Sequence, residues 1–169
     1  MLHIPEIETE RLILYPLSDA EMTELIERES VPELKQAYAE MLLGCTRESA
    51  HRLWYAVWQM ELKDGSGTVV GDLCFKGLGA DGTVELGYGL YEGCCGKGYM
   101  TEAVRAISAW ALSQQGVTRV EAETAPDNLS SQRVLIGAGY HPTGRQGEEG
   151  PRFVYGGKGS PVPYGERRI

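Results

Sequence analysis

The sequence predicts a mixed α/β (α+β) domain with a mostly antiparallel central sheet and helices on both faces. Three observations predict it. Period-two segments joined by Gly-rich turns follow one another through residues 54–91, as in an antiparallel meander. A strand, helix, strand run over 83–124 requires a parallel crossover inside that sheet. Helical spacing before and after the meander supplies the covering layers. At 169 residues the chain fits one domain, 1–169, since two would each have a thin core.

Alternation over 11–17 predicts a first strand stopped by Pro16, after which Ser18 or Asp19 caps a helix through Met22, Leu25 and Ile26. Leu34, Tyr38, Met41 and Leu42 recur at three- and four-residue spacing, predicting a helix over 33–43 with Gly44 as its stop. A short helical stretch is expected over 48–53. From Trp54 the period is two, with Trp54, Ala56, Trp58, Met60 and Leu62 forming an apolar face. Trp54 and Trp58 then share a face, either as buried core or stacked against an acceptor in a groove.

Turns at 64–67 and 80–82 lead into strands over 68–76 and 83–91. Ala103, Ile107, Trp110 and Ala111 on one face, with Gly116 as stop, predict a helix over 99–115. A strand over 118–124 follows, then a helix capped by Asp127 or Asn128 and ended by Gly137 and Gly139. Two final strands are expected over 140–145 and 152–157, and the Gly/Pro-rich stretch 156–163 reads as a loose terminus.

Sixteen Lys plus Arg against 24 Asp plus Glu give a net charge of −8, and no basic stretch stands out. Nucleic acid is therefore not an expected partner, because a phosphate backbone is held by clustered cations. A cationic partner suits the field better. No run of about 18 apolar residues is present, so no membrane association is expected. The first ten residues lack the basic and apolar parts of a signal peptide, which predicts a cytoplasmic protein. Cys45, Cys74, Cys94 and Cys95 form no Cys-x-x-Cys pair and have no nearby His, so free thiols and no metal are expected. A redox role for the adjacent Cys94 and Cys95 is the weaker alternative.

Glu92-Gly93-Cys94-Cys95-Gly96-Lys97-Gly98-Tyr99-Met100-Thr101-Glu102 lies between a strand and a long helix. Successive N–H groups of such a turn, aimed at a helix N-terminus, form an anion seat. A P-loop would need Ser or Thr directly after Lys97, where Gly98 stands. A dinucleotide fingerprint would need an all-parallel unit, where a meander stands. The pyrophosphate of coenzyme A remains, against the plainer reading of an ordinary glycine-rich connection.

The company of this loop resembles the GNAT superfamily of acyl-CoA N-acyltransferases, in the branch similar to the ribosomal-protein N-acetyltransferases. Glu8-Thr9-Glu10-Arg11-Leu12-Ile13-Leu14 resembles the branch's opening strand. Val70-Gly71-Asp72-Leu73 and Val84-Glu85-Leu86-Gly87-Tyr88-Gly89-Leu90 resemble its third and fourth strands. Residues 96–104 resemble its pyrophosphate loop and helix, and residues 126–135 with Gly139-Tyr140 its next helix and strand. The family loop, Gln/Arg-x-x-Gly-x-Gly/Ala, places Cys95, Gly98 and Met100 at its three signature positions. The fold implied is the acyl-CoA N-acyltransferase fold.

The resemblance implies direct transfer of acetyl from acetyl-CoA, the cosubstrate, to a primary amine without an acyl-enzyme. Cys95, Gly96, Lys97, Gly98, Tyr99, Met100 and Thr101 would border the diphosphate, with Thr101 donating to phosphate or capping the helix. The backbone of Leu90, and secondarily Tyr88, would lie beside pantetheine and the acetyl group. Asn128 would cap its helix or turn toward pantetheine. Glu85 matches the family's basic carboxylate, needed because an alkylammonium with pKa near 10 has no free lone pair at neutral pH. Glu121 and Glu123 are fallback bases, read first as solvated. Ser131 would bond or protonate the departing sulfur, because the position used by the wider superfamily's Tyr is Leu135. His51 is read as an ordinary surface or interface residue, and Arg133 as either meeting a CoA phosphate or solvated.

The expected function is N-acetylation of a protein or peptide α-amino group or of a small, cationic amine, with homodimer formation an open option. Two rivals stand beside it: an acyl-CoA-binding module without turnover, and a structural domain using the glycine loop only as a turn.

Overall fold

The computed structural model describes residues 4–156. Its elements are β1 (Ile7–Glu8), β2 (Leu12–Pro16), α1 (Asp19–Arg28), α2 (Pro32–Arg47), a 3-10 segment (Ser49–Trp54), β3 (Val57–Leu62), β4 (Val69–Leu78) and β5 (Thr83–Leu90). They continue with α3 (Tyr99–Leu112), β6 (Arg119–Glu123), α4 (Leu129–Gly137), β7 (Tyr140–Gln146) and β8 (Pro151–Tyr155). One sheet runs in the order β1-β2-β3-β4-β5-β6-β8-β7. Its pairs are antiparallel except β5 with β6, the predicted parallel crossover.

Strand alternation sends side chains to opposite faces, and each face has its own core. On one face Leu12, Leu14, Met60, Leu73, Leu86 and Val120 pack with Met100 and Ile107 of α3 and Leu135 of α4. On the other, Val57 and Ala56 pack with Met22 of α1 and with Tyr38 and Cys45 of α2. Ser18 settles the first cap: its hydroxyl accepts from Glu21 N–H while the Glu21 carboxylate accepts from Ser18 N–H at 2.7 Å.

Two expectations are corrected, and one element is new. Gly44 does not end α2, which runs on to Arg47. An added Cβ there would lie 2.6 Å from Tyr55 Cδ1, so the glycine serves a close approach inside the helix. Trp54 closes the 3-10 segment rather than opening β3. It still joins Trp58 in the core, where both stack near Trp110 of α3 with ring centroids 5.4 and 4.9 Å apart. That placement removes both tryptophans from any acceptor groove. The two-residue β1 was not anticipated, being too short for a periodic signal. Residues 157–163 of the expected loose terminus lie outside the described residues. Among those described, no helix is long and apolar enough to cross a membrane.

Candidate functional site

The parallel pairing of β5 with β6 is short: Thr83, Val84 and Glu85 stand opposite Arg119, Val120 and Glu121, and then the strands part. β6 continues to Glu123 paired only with β8, and β5 continues to Leu90 paired only with β4. Residues 86–90, Leu90 and Tyr88 among them, therefore present one unpaired main-chain edge. An extended chain carrying amides can add to such an edge as a further strand.

The glycine loop lies past the open end of that edge. Gly93, Gly96 and Gly98 all have φ near +80°, and Gly98 is the N-cap of α3. No side chain caps α3, and its first helical bond runs from Glu102 N–H to the Gly98 carbonyl. The N–H groups of Tyr99, Met100 and Thr101 thus point out of the helix start, where the dipole is positive. A Cβ at Gly96 would meet nothing within 4 Å, so a ligand can reach that backbone. Cys95 and Lys97 are exposed. Met100 is 4% exposed, so its side chain serves the core and only its N–H faces the loop. Thr101 turns its methyl toward Gly137 of α4, and its hydroxyl makes no capping bond.

Sequence reasoning missed what steadies this loop. Arg11 on the turn into β2 donates from its guanidinium to the Lys97 carbonyl at 2.8 Å and to Glu102 Oε1 at 2.9 Å, and lies over the Tyr99 ring at 4.6 Å. Glu102 also accepts from Arg11 N–H and from the Thr9 hydroxyl. Burial pushes the Glu102 carboxyl up, but these hydrogen bonds outweigh it and hold the group below its ordinary range.

Across the open edge stands the start of α4. The Asn128 side chain accepts from Ser131 N–H at 3.0 Å and caps the helix. Ser131 Oγ lies 2.8 Å from Tyr88 Oη. Leu135 is fully buried, in accord with the absence of a tyrosine there, and the phenol beside Ser131 comes instead from β5. Burial raises the Tyr88 pKa while the Ser131 hydrogen bond works against it, so the phenol is protonated at neutral pH. Arg133 and His51 are exposed.

The opposite face of β5 carries Glu85, Gly87 and Gly89. Glu85 Oε2 pairs with Lys76 Nζ at 2.6 Å and Oε1 with Arg152 at 2.8 Å. Glu121 and Glu123 are not solvated as expected. Glu121 is 3% exposed and pairs with Arg119, Arg145 and Arg152 at 2.7–2.9 Å. Glu123 pairs with Arg152 and accepts from Glu149 N–H in the β7–β8 turn. That main-chain bond, then the Arg152 charge, hold the Glu123 carboxyl low against its burial. A pocket of about 510 Å³ opens among Lys76, Glu85, Glu123, Arg145 and Arg152.

One further carboxylate shares this face. Asp72 on β4 stands opposite Gly89, and its Oδ2 accepts from Tyr38 Oη at 2.7 Å and Tyr91 Oη at 3.3 Å. Burial raises its pKa, and the two phenols only partly offset that. Tyr38 and Tyr91 border a pocket of about 370 Å³ with Leu25, Arg28, Glu29 and Gln59. The available signal was an Asp in mid-strand, a position that disfavours it. Among the described residues no group of three or more His, Cys, Asp or Glu is placed to hold a metal ion.

Comparison with known proteins places the family and the fold. Residues 6–141 match the acetyltransferase (GNAT) domain. The chain is 46% identical over 66 residues to the probable N-acetyltransferase YjcK of Bacillus subtilis (strain 168), a match covering 39% of the chain and 36% of that relative. Among solved structures, the acetyltransferase from Agrobacterium tumefaciens str. C58 superposes with a TM-score of 0.69 at 23% identity, covering 92% of this chain and 96% of that one. RimL, a ribosomal L7/L12 alpha-N-protein acetyltransferase solved with coenzyme A, gives 0.68 at 14%, covering 89% and 96%. At these identities the structures speak for the fold alone.

Proposed function

The chain belongs to the GNAT acetyltransferase family, and from that premise we propose that it transfers an acetyl group from acetyl-CoA to the nitrogen of a primary amine. The single observation that carries the proposal is the parting of β5 and β6 after Glu85 and Glu121, with the uncapped start of α3 beyond the open edge. A strand edge and an anion seat in line suit a ligand that joins an amide-bearing arm to a diphosphate. The backbone of residues 96–101 holds the diphosphate, and the edge of β5 at Tyr88 and Leu90 pairs with the arm. Acetyl-CoA, when bound, supplies the thioester that the amine attacks with loss of the thiol.

The chain's own groups then have three tasks. A main-chain N–H of the β5 edge meets the thioester oxygen as negative charge develops on it. Within the Tyr88–Ser131 pair one hydroxyl donates to the other, and the remaining O–H donates to the departing sulfur, which takes one proton. The second proton comes off the acceptor ammonium and passes through a carboxylate to solvent, so that ammonium plus thioester give amide, thiol and one released proton. Two carboxylates on the acceptor face differ in what surrounds them: Glu85, implied by the family resemblance, sits between two cations, and Asp72 sits between two phenols. The net charge of −8 favours a cationic acceptor, whether a peptide α-amine or a small amine.

Calorimetry with coenzyme A and acetyl-CoA, followed by thiol release with a panel of amines, tests the reading. Saturable heat and amine-dependent thiol release are expected. Ser131→Ala should cost several-fold in kcat with little change in the acetyl-CoA KM. Absence of binding to millimolar cofactor would sink the proposal, and binding without release to any amine would leave a binding module in its place.

A further inference from the structure

We infer that Asp72 is the group that takes the proton from the acceptor ammonium, and that a primary alkylammonium reaches it over the bare backbone at Gly89. The inference rests on the acetyltransfer reading above and deepens it.

Register supplies the first argument. On the acetyltransfer reading the sulfur sits beside the Tyr88 and Ser131 hydroxyls, which lie 2.8 Å apart, and Tyr88 pairs across the sheet with Leu73. Asp72 is the next residue to Leu73, so its Cα lies about one strand spacing across and about 3.3 Å along from that level. Glu85 stands three residues back along β5, about 10 Å away, where β6 still covers the edge. Asp72 and Glu85 both point to the face opposite Tyr88. Over Gly89, the partner of Asp72, an added Cβ would meet nothing within 4 Å. The floor between Asp72 and the open edge is therefore bare backbone.

Surroundings supply the second. An incoming ammonium needs a carboxylate oxygen that is not already held by a cation. Both oxygens of Glu85 are so held, one by Lys76 and one by Arg152. Asp72 makes no ion pair among the described residues, and the strongest charge acting on it is the like charge of Glu29. The groups facing it are Tyr38 from α2, Tyr91 after β5, Glu29 and Arg28 at the end of α1, and Cys74 on its own strand. Burial raises its pKa, which brings it nearer the working range of a general base. An arriving ammonium supplies the missing countercharge, gives up its proton to the carboxylate, and attacks as the neutral amine. Glu85 then serves to hold Lys76 and Arg152.

The test is thiol release by wild type, Asp72→Asn, Glu85→Gln and Tyr38→Phe from about pH 5 to about pH 9. Two acceptors are compared: an Nα-acetylated lysine amide, with an amine pKa near 10.4, and a lysine-free peptide with a free α-amine near 8. Asp72→Asn should lower kcat/KM for the lysine amine about 100-fold or more at neutral pH. It should spare the α-amine far more, since much of that amine is already neutral at about pH 8. The acid limb of the pH profile should vanish in Asp72→Asn and persist, at reduced rate, in Glu85→Gln. Tyr38→Phe removes a donor that favours the ionised carboxylate, so its limb should move to higher pH; this keeps the test decisive if Asp72→Asn fails to fold. Asp72→Asn turning over like wild type, loss of the limb in Glu85→Gln, or an unmoved limb in Tyr38→Phe each overturn the assignment to Asp72 while leaving acetyltransfer intact. A wild-type chain silent toward every amine overturns the acetyltransfer reading itself.

Discussion

The two ends of β5 are built to opposite rules. At its start the strand is paired on both edges, and Glu85 leads into a net in which Arg152 reaches Glu85, Glu121 and Glu123 together. At its far end the strand has one bare edge, two glycines on the face opposite Tyr88, and a loop whose backbone is held open by three glycines at positive φ. Charges at the closed end are neutralised by neighbours. At the open end the α3 start and Asp72 carry charge or dipole that the described residues do not neutralise. Uncompensated polarity costs stability, and a fold keeps it where a ligand can supply the partner.

The sharpest way to break this comparison is to cut the closed end. Arg152→Met removes the shared cation and leaves Glu123 without its ion pair and Glu121 with Arg119 and Arg145 alone. Because the Glu121 side chain is only 4% exposed, the loss should be about 3 kcal/mol in urea unfolding, with coenzyme A affinity little altered in the fraction that folds. A loss under about 1 kcal/mol would mean that the net is solvated after all.

A smaller effect of the other kind is expected at the loop. Gly96→Ala and Gly98→Ala each force a side chain into the left-handed region, costing about 1–2 kcal/mol. They differ in what the new methyl meets. At Gly96 it meets nothing within 4 Å, whereas at Gly98 it lies 3.3 Å from the Arg11 guanidinium that braces Lys97. Both should weaken coenzyme A binding by calorimetry, by about tenfold or more. Gly98→Ala should lose more, because it also disturbs the brace. Equal losses would place the whole effect in backbone strain.

Much of this was legible from local pattern. Periods of two and 3.6 located the strands of the meander, the helices and the parallel crossover, and the glycine run located the start of α3. Contacts across long sequence separations were not legible. Tyr38 meets Asp72 over 34 residues, Tyr88 meets Ser131 over 43, and Arg11 meets Glu102 over 91. Local spacing carries no trace of such pairs, so Glu121 read as solvated and Tyr88 as backbone only. Gly44 shows a related gap: a glycine needed for close approach looks the same as one that ends a helix.

The smallest predicted effect compares two carboxylates whose ionisation acts on stability with opposite sign. Glu102 has a folded pKa below its unfolded value of about 4.3, so its stabilisation is complete above that value and is lost as pH falls through the folded one. Asp72 has a folded pKa above its unfolded value, so ionising it costs stability as pH rises between the two. Glu102→Gln should therefore lower stability by about 1 kcal/mol near neutral pH, through weaker bonds to Arg11 and Thr9, and converge with wild type in strong acid. Thermal unfolding across the acid range measures it. A constant offset at every pH would assign the loss to packing of the glutamine rather than to the charge that fastens β2 to the loop.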